Sequence, residues 1–201
     1  ALHAQLAPDT DTARVSFEEF FNTFEPFYQS ILLYLLVFLL VTVGWMRWPQ
    51  EMLRAALWLL VLAFVVHTFG LAARMWIQGR PPVTNLYSSA IFVGWGSVLL
   101  GIILERIYRN GVGAFTASII GAVTLVIAHN LAKTGDTLEM MRAVLDSNFW
   151  LATHVVIITA GYSAVFLAGT LALYFVMRGV FTRGLDTDSV RVLYRMVYGI
   201  T

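Results

Sequence analysis

The chain has 201 residues, of which 59% are hydrophobic and only 12% charged, with a mean hydropathy of +0.75. A soluble domain carries about 25% charge to cover its surface, so a soluble globular fold is excluded. The net charge of +1 offers no basic field for nucleic acid, and the absence of cysteine excludes disulfides, thiolate metal centres and thiol catalysis.

Residues 1–27 form an acidic, aromatic lead-in, in which Phe17, Phe20, Phe21 and Phe24 fall on one face of an interfacial helix. A bilayer core about 30 Å thick needs roughly 20 apolar residues of helix. Five stretches meet that need, at 28–46, 53–77, 86–104, 113–131 and 150–177, within a membrane domain of 28–178. The expected fold is an all-α polytopic transmembrane bundle of five spans with short interfacial helices. Arg47-Trp48-Pro49 and Gly79-Arg80-Pro81-Pro82 break the pattern, because proline cannot continue a helix, and Asn110-Gly111 is a turn dipeptide. Asp136 to Glu139 resembles a capping box that opens a short interfacial helix at 138–145. Residues 179–201 form an amphipathic segment expected to lead into a further span, so the chain reads as the front portion of a longer polypeptide, with no signal peptide visible at Ala1.

Five spans place the two ends on opposite sides. With the N-terminus outside, the inner face collects Arg47, Arg54, Arg106, Arg109, Arg178, Arg183, Arg191 and Arg195. The outer face keeps Arg14, Arg74, Arg80, Lys133 and Arg142. Basic residues favour the inner side, so the expected orientation is N-out and C-in.

Low polarity makes buried polar groups informative, and three of the four histidines fall in spans. At 1.5 Å per residue, His67 is roughly 21 Å from the inner end, His129 roughly 24 Å up its own helix, and His154 roughly 6 Å below the outer rim. All three therefore sit in the outer third of the membrane. Neutral imidazole is a good ligand for haem iron, and histidines on facing helices could clamp a haem. Arg74 lies two turns from His67 on nearly the same face and suits a propionate; Arg80, Lys133 and Arg142 are further candidates for propionate or partner contacts. The competing reading of each histidine is an interhelical hydrogen-bond partner. Glu105, next to Arg106 and Arg109, reads as a solvated ion pair, and Ala160, Ala164 and Ala168 with Gly161 and Gly169 as a small-residue packing face. Trp45, Trp48, Trp76 and Trp150 read as interface anchors, while Trp95 lies mid-helix between glycines.

Two segments carry a family resemblance. Residues 80–95, RPPVTNLYSSAIFVGW, resemble the segment with a (T/S)NLYES-like core in the CcsA or ResC family of cytochrome c biogenesis proteins, and 149–164, FWLATHVVIITAGYSA, resemble the same family's WLxxHV…(S/G)YxA helix. The resemblance runs over about residues 60–180. It implies a haem-handling subunit that, with a CcsB (ResB) partner, moves haem to the outer side of the membrane. There the haem is attached to apocytochrome c as part of a cytochrome c synthase (haem lyase) system. It further implies haem b as a transient cofactor, the bacterial cytoplasmic membrane or a thylakoid as location, and His154 as an external axial ligand to haem iron. His67 and His129 match no family ligand. The family's tryptophan-rich WG…WDPKE loop and its second external histidine are not in this sequence, and Ser89 stands where the family often has glutamate. An electron-transfer membrane cytochrome, with histidines of two helices on a permanent haem, is the alternative. A transporter or channel subunit is a third reading, disfavoured by the lack of buried acids and of repeated halves.

Overall fold

A computed structural model describes residues 12–134, 148–181 and 187–200. The expected helix at 138–145, Arg142 and Arg183 lie outside the described residues. Seven helices and no strand occur among those described: α1 Thr12–Phe24, α2 Pro26–Met46, α3 Pro49–Gln78, α4 Leu86–Tyr108, α5 Val112–Thr134, α6 Asn148–Phe181 and α7 Thr187–Ile200. Five are long and apolar enough to cross a membrane, and the chain is an integral membrane protein with a helical-bundle fold.

Each boundary has a local chemical cause. Glu25, in the left-handed region at φ 45°, separates α1 from α2, and Pro26 then starts α2 at a position where its missing N–H costs nothing. Pro49 does the same for α3, which is why this helix begins four residues before the expected Leu53. Gly79 ends α3 at φ 62°, its N–H donating to the Met75 carbonyl at 2.8 Å. Asn85 caps α4 reciprocally: its side chain accepts from the Ser88 N–H at 2.8 Å, while Ser88 Oγ accepts from the Asn85 N–H at 2.9 Å. Arg109 at φ 51° and Gly111 at φ 82° turn the chain from α4 into α5.

The aromatic face expected in the lead-in packs on the end of α3. Phe17 meets Trp76 edge-on at 4.9 Å, and Phe24 meets Phe69 at 6.0 Å. Helices α2 to α5 share one core of Tyr34, Val37, Val41, Leu60, Ile91, Val98, Ala117 and Leu125. The remaining helices, α6 and α7, join through a second cluster, in which Leu167, Leu171, Leu193 and Met196 pack on Leu104, Val112 and Ile120. Outward-facing leucines of α2, including Leu32, Leu35, Leu36 and Leu39, are about half exposed, as a lipid-facing surface requires.

Small residues set the closest approach, but not where the alanine pattern of α6 suggested. Gly161 and Gly169 are exposed, and a Cβ added at either would meet nothing within 4 Å, whereas Ala168 of the same pattern is buried, so only part of that small-residue stripe packs within this chain. Close contact occurs between α4 and α5 instead. A Cβ on Gly101 would lie 2.5 Å from Ala117 Cβ, and one on Gly113 would lie 2.8 Å from the Gly101 carbonyl oxygen. Helix α6 meets α4 through Ser163, whose carbonyl accepts from Ser97 Oγ at 3.0 Å.

Glu105 corrects a second expectation. It is only 2% exposed, and its carboxyl oxygens accept from the Gly111 N–H at 2.8 Å and the Ala114 N–H at 3.2 Å. It is no solvated ion pair. The turn folds back so that Glu105 caps the start of α5, satisfying donors that an α-helix leaves without partners.

Candidate functional site

The three membrane histidines occupy three different environments. His67, on α3, is fully buried and lies at the junction of α2, α3 and α4. Its Nδ1 is hydrogen-bonded to the Tyr34 hydroxyl of α2 at 2.9 Å. Phe27 packs edge-on against the imidazole with centroids 5.9 Å apart, and Gly94 of α4 leaves the space on the Cε1 side, where an added Cβ would stand 3.7 Å away. Nε2 is buried and makes no hydrogen bond of ordinary geometry among the described residues, although the Ile91 backbone of α4 lies near enough to interact with the imidazole.

That geometry restricts the chemistry. In neutral imidazole one ring nitrogen carries the proton and the other the lone pair. If Tyr34 donates to Nδ1, Nε2 bears the proton; if Nδ1 donates to the Tyr34 oxygen, Nε2 has a free lone pair. Either way the ring is enclosed by side chains and backbone, and its hydrogen bond to Tyr34 ties α3 to α2. Removing the Tyr34 hydroxyl alone isolates a second ring nitrogen, and Tyr34→Phe is expected to cost about 1–3 kcal/mol, with the Tyr34→Phe/His67→Leu pair costing less than the sum of the single changes. Thermal unfolding of the four variants in detergent checks this; strict additivity would contradict the coupling.

His129, on α5, is exposed, its ring 6.4 Å from that of Tyr28 on α2. His154, on α6, is also exposed. One turn before it lies Trp150, with Ile157 and Ile158 one turn after, all three exposed and apolar. Phe149 and Trp150 stack edge-on at 5.3 Å. His154 therefore presents an imidazole from an apolar, aromatic helix face. No group of three or more His, Asp or Glu side chains that could hold a metal ion occurs among the described residues.

The cationic candidates divide as well. Arg74 is nine-tenths buried, its guanidinium lying over the Tyr87 ring at 4.4 Å, which ties the end of α3 to the start of α4. Arg80 and Lys133 are exposed. Because α3 and α5 run toward the end of the bundle from which α6 starts, Arg80, Lys133 and His154 share that end. Two features escaped the sequence reading: Tyr34 as the partner of His67, and Thr68, whose Oγ1 accepts from the Trp95 indole N–H at 2.9 Å. Trp95, stacked on Phe64 at 5.5 Å, is thus held within the bundle.

No family model matches the chain. Protein NrfI of Wolinella succinogenes is 30% identical over 129 residues, a match covering 62% of this chain and 14% of that protein. Cytochrome c biogenesis protein CcsA of Prochlorococcus marinus is 29% identical over 122 residues, covering 58% of this chain and 37% of the relative. Protein HemX of Bacillus subtilis is 24% identical over 149 residues, covering 74% of this chain and 53% of the relative. The matched stretch thus spans from about a seventh to about half of these relatives' own length, and over more than half of its residues the chain is related in sequence to CcsA proteins.

Proposed function

We propose that this chain serves cytochrome c assembly as a haem-handling membrane subunit, with His154 as an axial ligand on the outer side. The observation that carries the reading is His154 itself. It is an exposed imidazole on an apolar helix face, within the segment that resembles the WLxxHV helix. Haem, when bound, supplies the vinyl groups that form thioethers with apocytochrome thiols.

What this chain contributes is positioning. His154 would hold the iron through one ring nitrogen and limit its changes of oxidation state. Trp150, Ile157 and Ile158 would shield the faces of the macrocycle from water, and Arg80 and Lys133, exposed at the same end of the bundle, would meet the propionates. Arg74, already engaged with Tyr87, is better suited to holding α3 against α4. Among the described residues His154 is the one that would hold the iron, and the assembly would include a CcsB-like partner and apocytochrome c. The orientation that puts His154 outside is N-out, supported by the excess of arginine at the opposite end. The membrane is the bacterial cytoplasmic one or a thylakoid.

In the whole protein with its partner, His154→Ala should lower covalent haem in a reporter cytochrome c at least about tenfold, with partial recovery when imidazole is added to the medium. Normal maturation in that variant, with the protein present at normal abundance, would end the proposal.

A further inference from the structure

The face opposite His154 carries a second constellation. Where α3 begins and α4 ends, the two helices bound a cleft of about 510 Å³ lined by Gln50, Leu53, Arg54, Leu57, Arg106 and Arg109, with Glu105 at its base. Gln50, Leu53, Arg54 and Leu57 recur at helical spacing, so one stripe of α3 forms one wall. The other wall is the last turn of α4 and its cap, where Arg109 is held at φ 51°.

Three arginines thus line one cleft with a single carboxylate, Glu105. No ion pair joins Arg54, Arg106 or Arg109 to a carboxylate among the described residues, and both oxygens of Glu105 are engaged by the backbone N–H groups of Gly111 and Ala114. All three arginines are exposed. Guanidinium forks match the geometry of a phosphate, and a cluster of them next to a bilayer attracts anionic head groups. The surface one turn deeper along the same helices is apolar: Trp58, one turn beyond Arg54, is 68% exposed, and Ile103, about one turn before Arg106, is 47% exposed. A phosphodiester in the cleft would leave its acyl chains lying along that surface.

We infer that this cleft binds the phosphodiester head group of an anionic phospholipid, with Arg54, Arg106 and Arg109 as phosphate ligands and Trp58 and Ile103 as the start of the track for its chains. The site is independent of His154 and of any haem chemistry. It stabilises the α3 start against the α4 end by bridging them with one ligand.

The test uses the purified full chain, delipidated in detergent and titrated with phosphatidylglycerol or phosphatidylcholine, with bound lipid counted by native mass spectrometry. Phosphatidylglycerol should bind at least about tenfold more tightly than phosphatidylcholine. The preference should be lost in Arg54→Gln/Arg106→Gln and partly kept in Arg54→Lys/Arg106→Lys, which retains charge but not the fork. Arg109→Asn, a residue that tolerates the left-handed backbone, should weaken binding without unfolding the turn. Inorganic phosphate in millimolar excess should not displace the lipid. Equal binding of the two lipids, an unchanged preference in a folded glutamine double variant, or displacement by inorganic phosphate as a ligand of equal strength would each overturn the assignment.

Discussion

Gly113→Ala is expected to force α4 and α5 apart and destabilise the bundle by about 3 kcal/mol or more. A methyl group there would sit 2.7 Å from the Glu105 backbone nitrogen and 2.8 Å from the Gly101 carbonyl oxygen, and backbone atoms cannot swing aside as a side chain can. In a membrane, helices gain little from burying apolar surface against each other, because lipid tails are equally apolar. Close backbone approach and the dispersion contacts that it allows take over that role. Gly169→Ala is the matched control, since its added Cβ meets nothing within 4 Å and alanine improves helix propensity by about 1 kcal/mol. Thermal unfolding in the same detergent should show a large drop for the first and none for the second. Equal behaviour of the two would mean that the α4–α5 contact is not a source of stability.

Glu105→Ala is expected to cost about 3 kcal/mol, because it leaves the Gly111 and Ala114 N–H groups without an acceptor in a site only 2% exposed. Glu105→Gln keeps one acceptor oxygen but turns an NH2 group toward the other donor, so an intermediate loss follows. Hydrogen exchange gives a readout that overall stability does not, since the amides of Gly111 and Ala114 should exchange faster in Glu105→Ala than those one turn further along α5. If those two amides keep their protection, the carboxyl group does not cap the helix.

The five spans were legible because membrane length and apolarity are properties of contiguous sequence, and so were the breaks at Pro49, Gly79 and Asn110-Gly111. Pairings across distance were not. Tyr34 and His67 are 33 positions apart, and no periodicity links a tyrosine on one helix to a histidine on the next. Glu105 was misread for a related reason. Its charged neighbours Arg106 and Arg109 are adjacent in sequence, whereas its actual partners lie six and nine positions on, reached only because Arg109 and Gly111 adopt left-handed backbone angles. The small-residue signal was present but on another helix: Gly113, Ala117 and Gly121 repeat every four residues along α5, and each meets a neighbouring helix. Counting small residues on α6 alone could not tell the buried Ala168 from the exposed Ala160, Gly161 and Gly169. Equal depth of three histidines was a sound inference from helix rise, yet depth says nothing of azimuth, and azimuth separates the enclosed His67 from the exposed His154.

The reciprocal bonds between Asn85 and Ser88 bear on how such proteins are recognised at all. Within Thr84-Asn85-Leu86-Tyr87-Ser88-Ser89, the polar atoms are spent on starting α4: Ser88 Oγ and Ser89 Oγ both donate to the Asn85 carbonyl, at 3.0 Å and 2.8 Å, and Tyr87 supports Arg74. The side chains of Asn85, Ser88 and Ser89 are thus occupied with architecture. Those letters therefore encode the start of a span, a demand of the bundle that is independent of what the bundle carries.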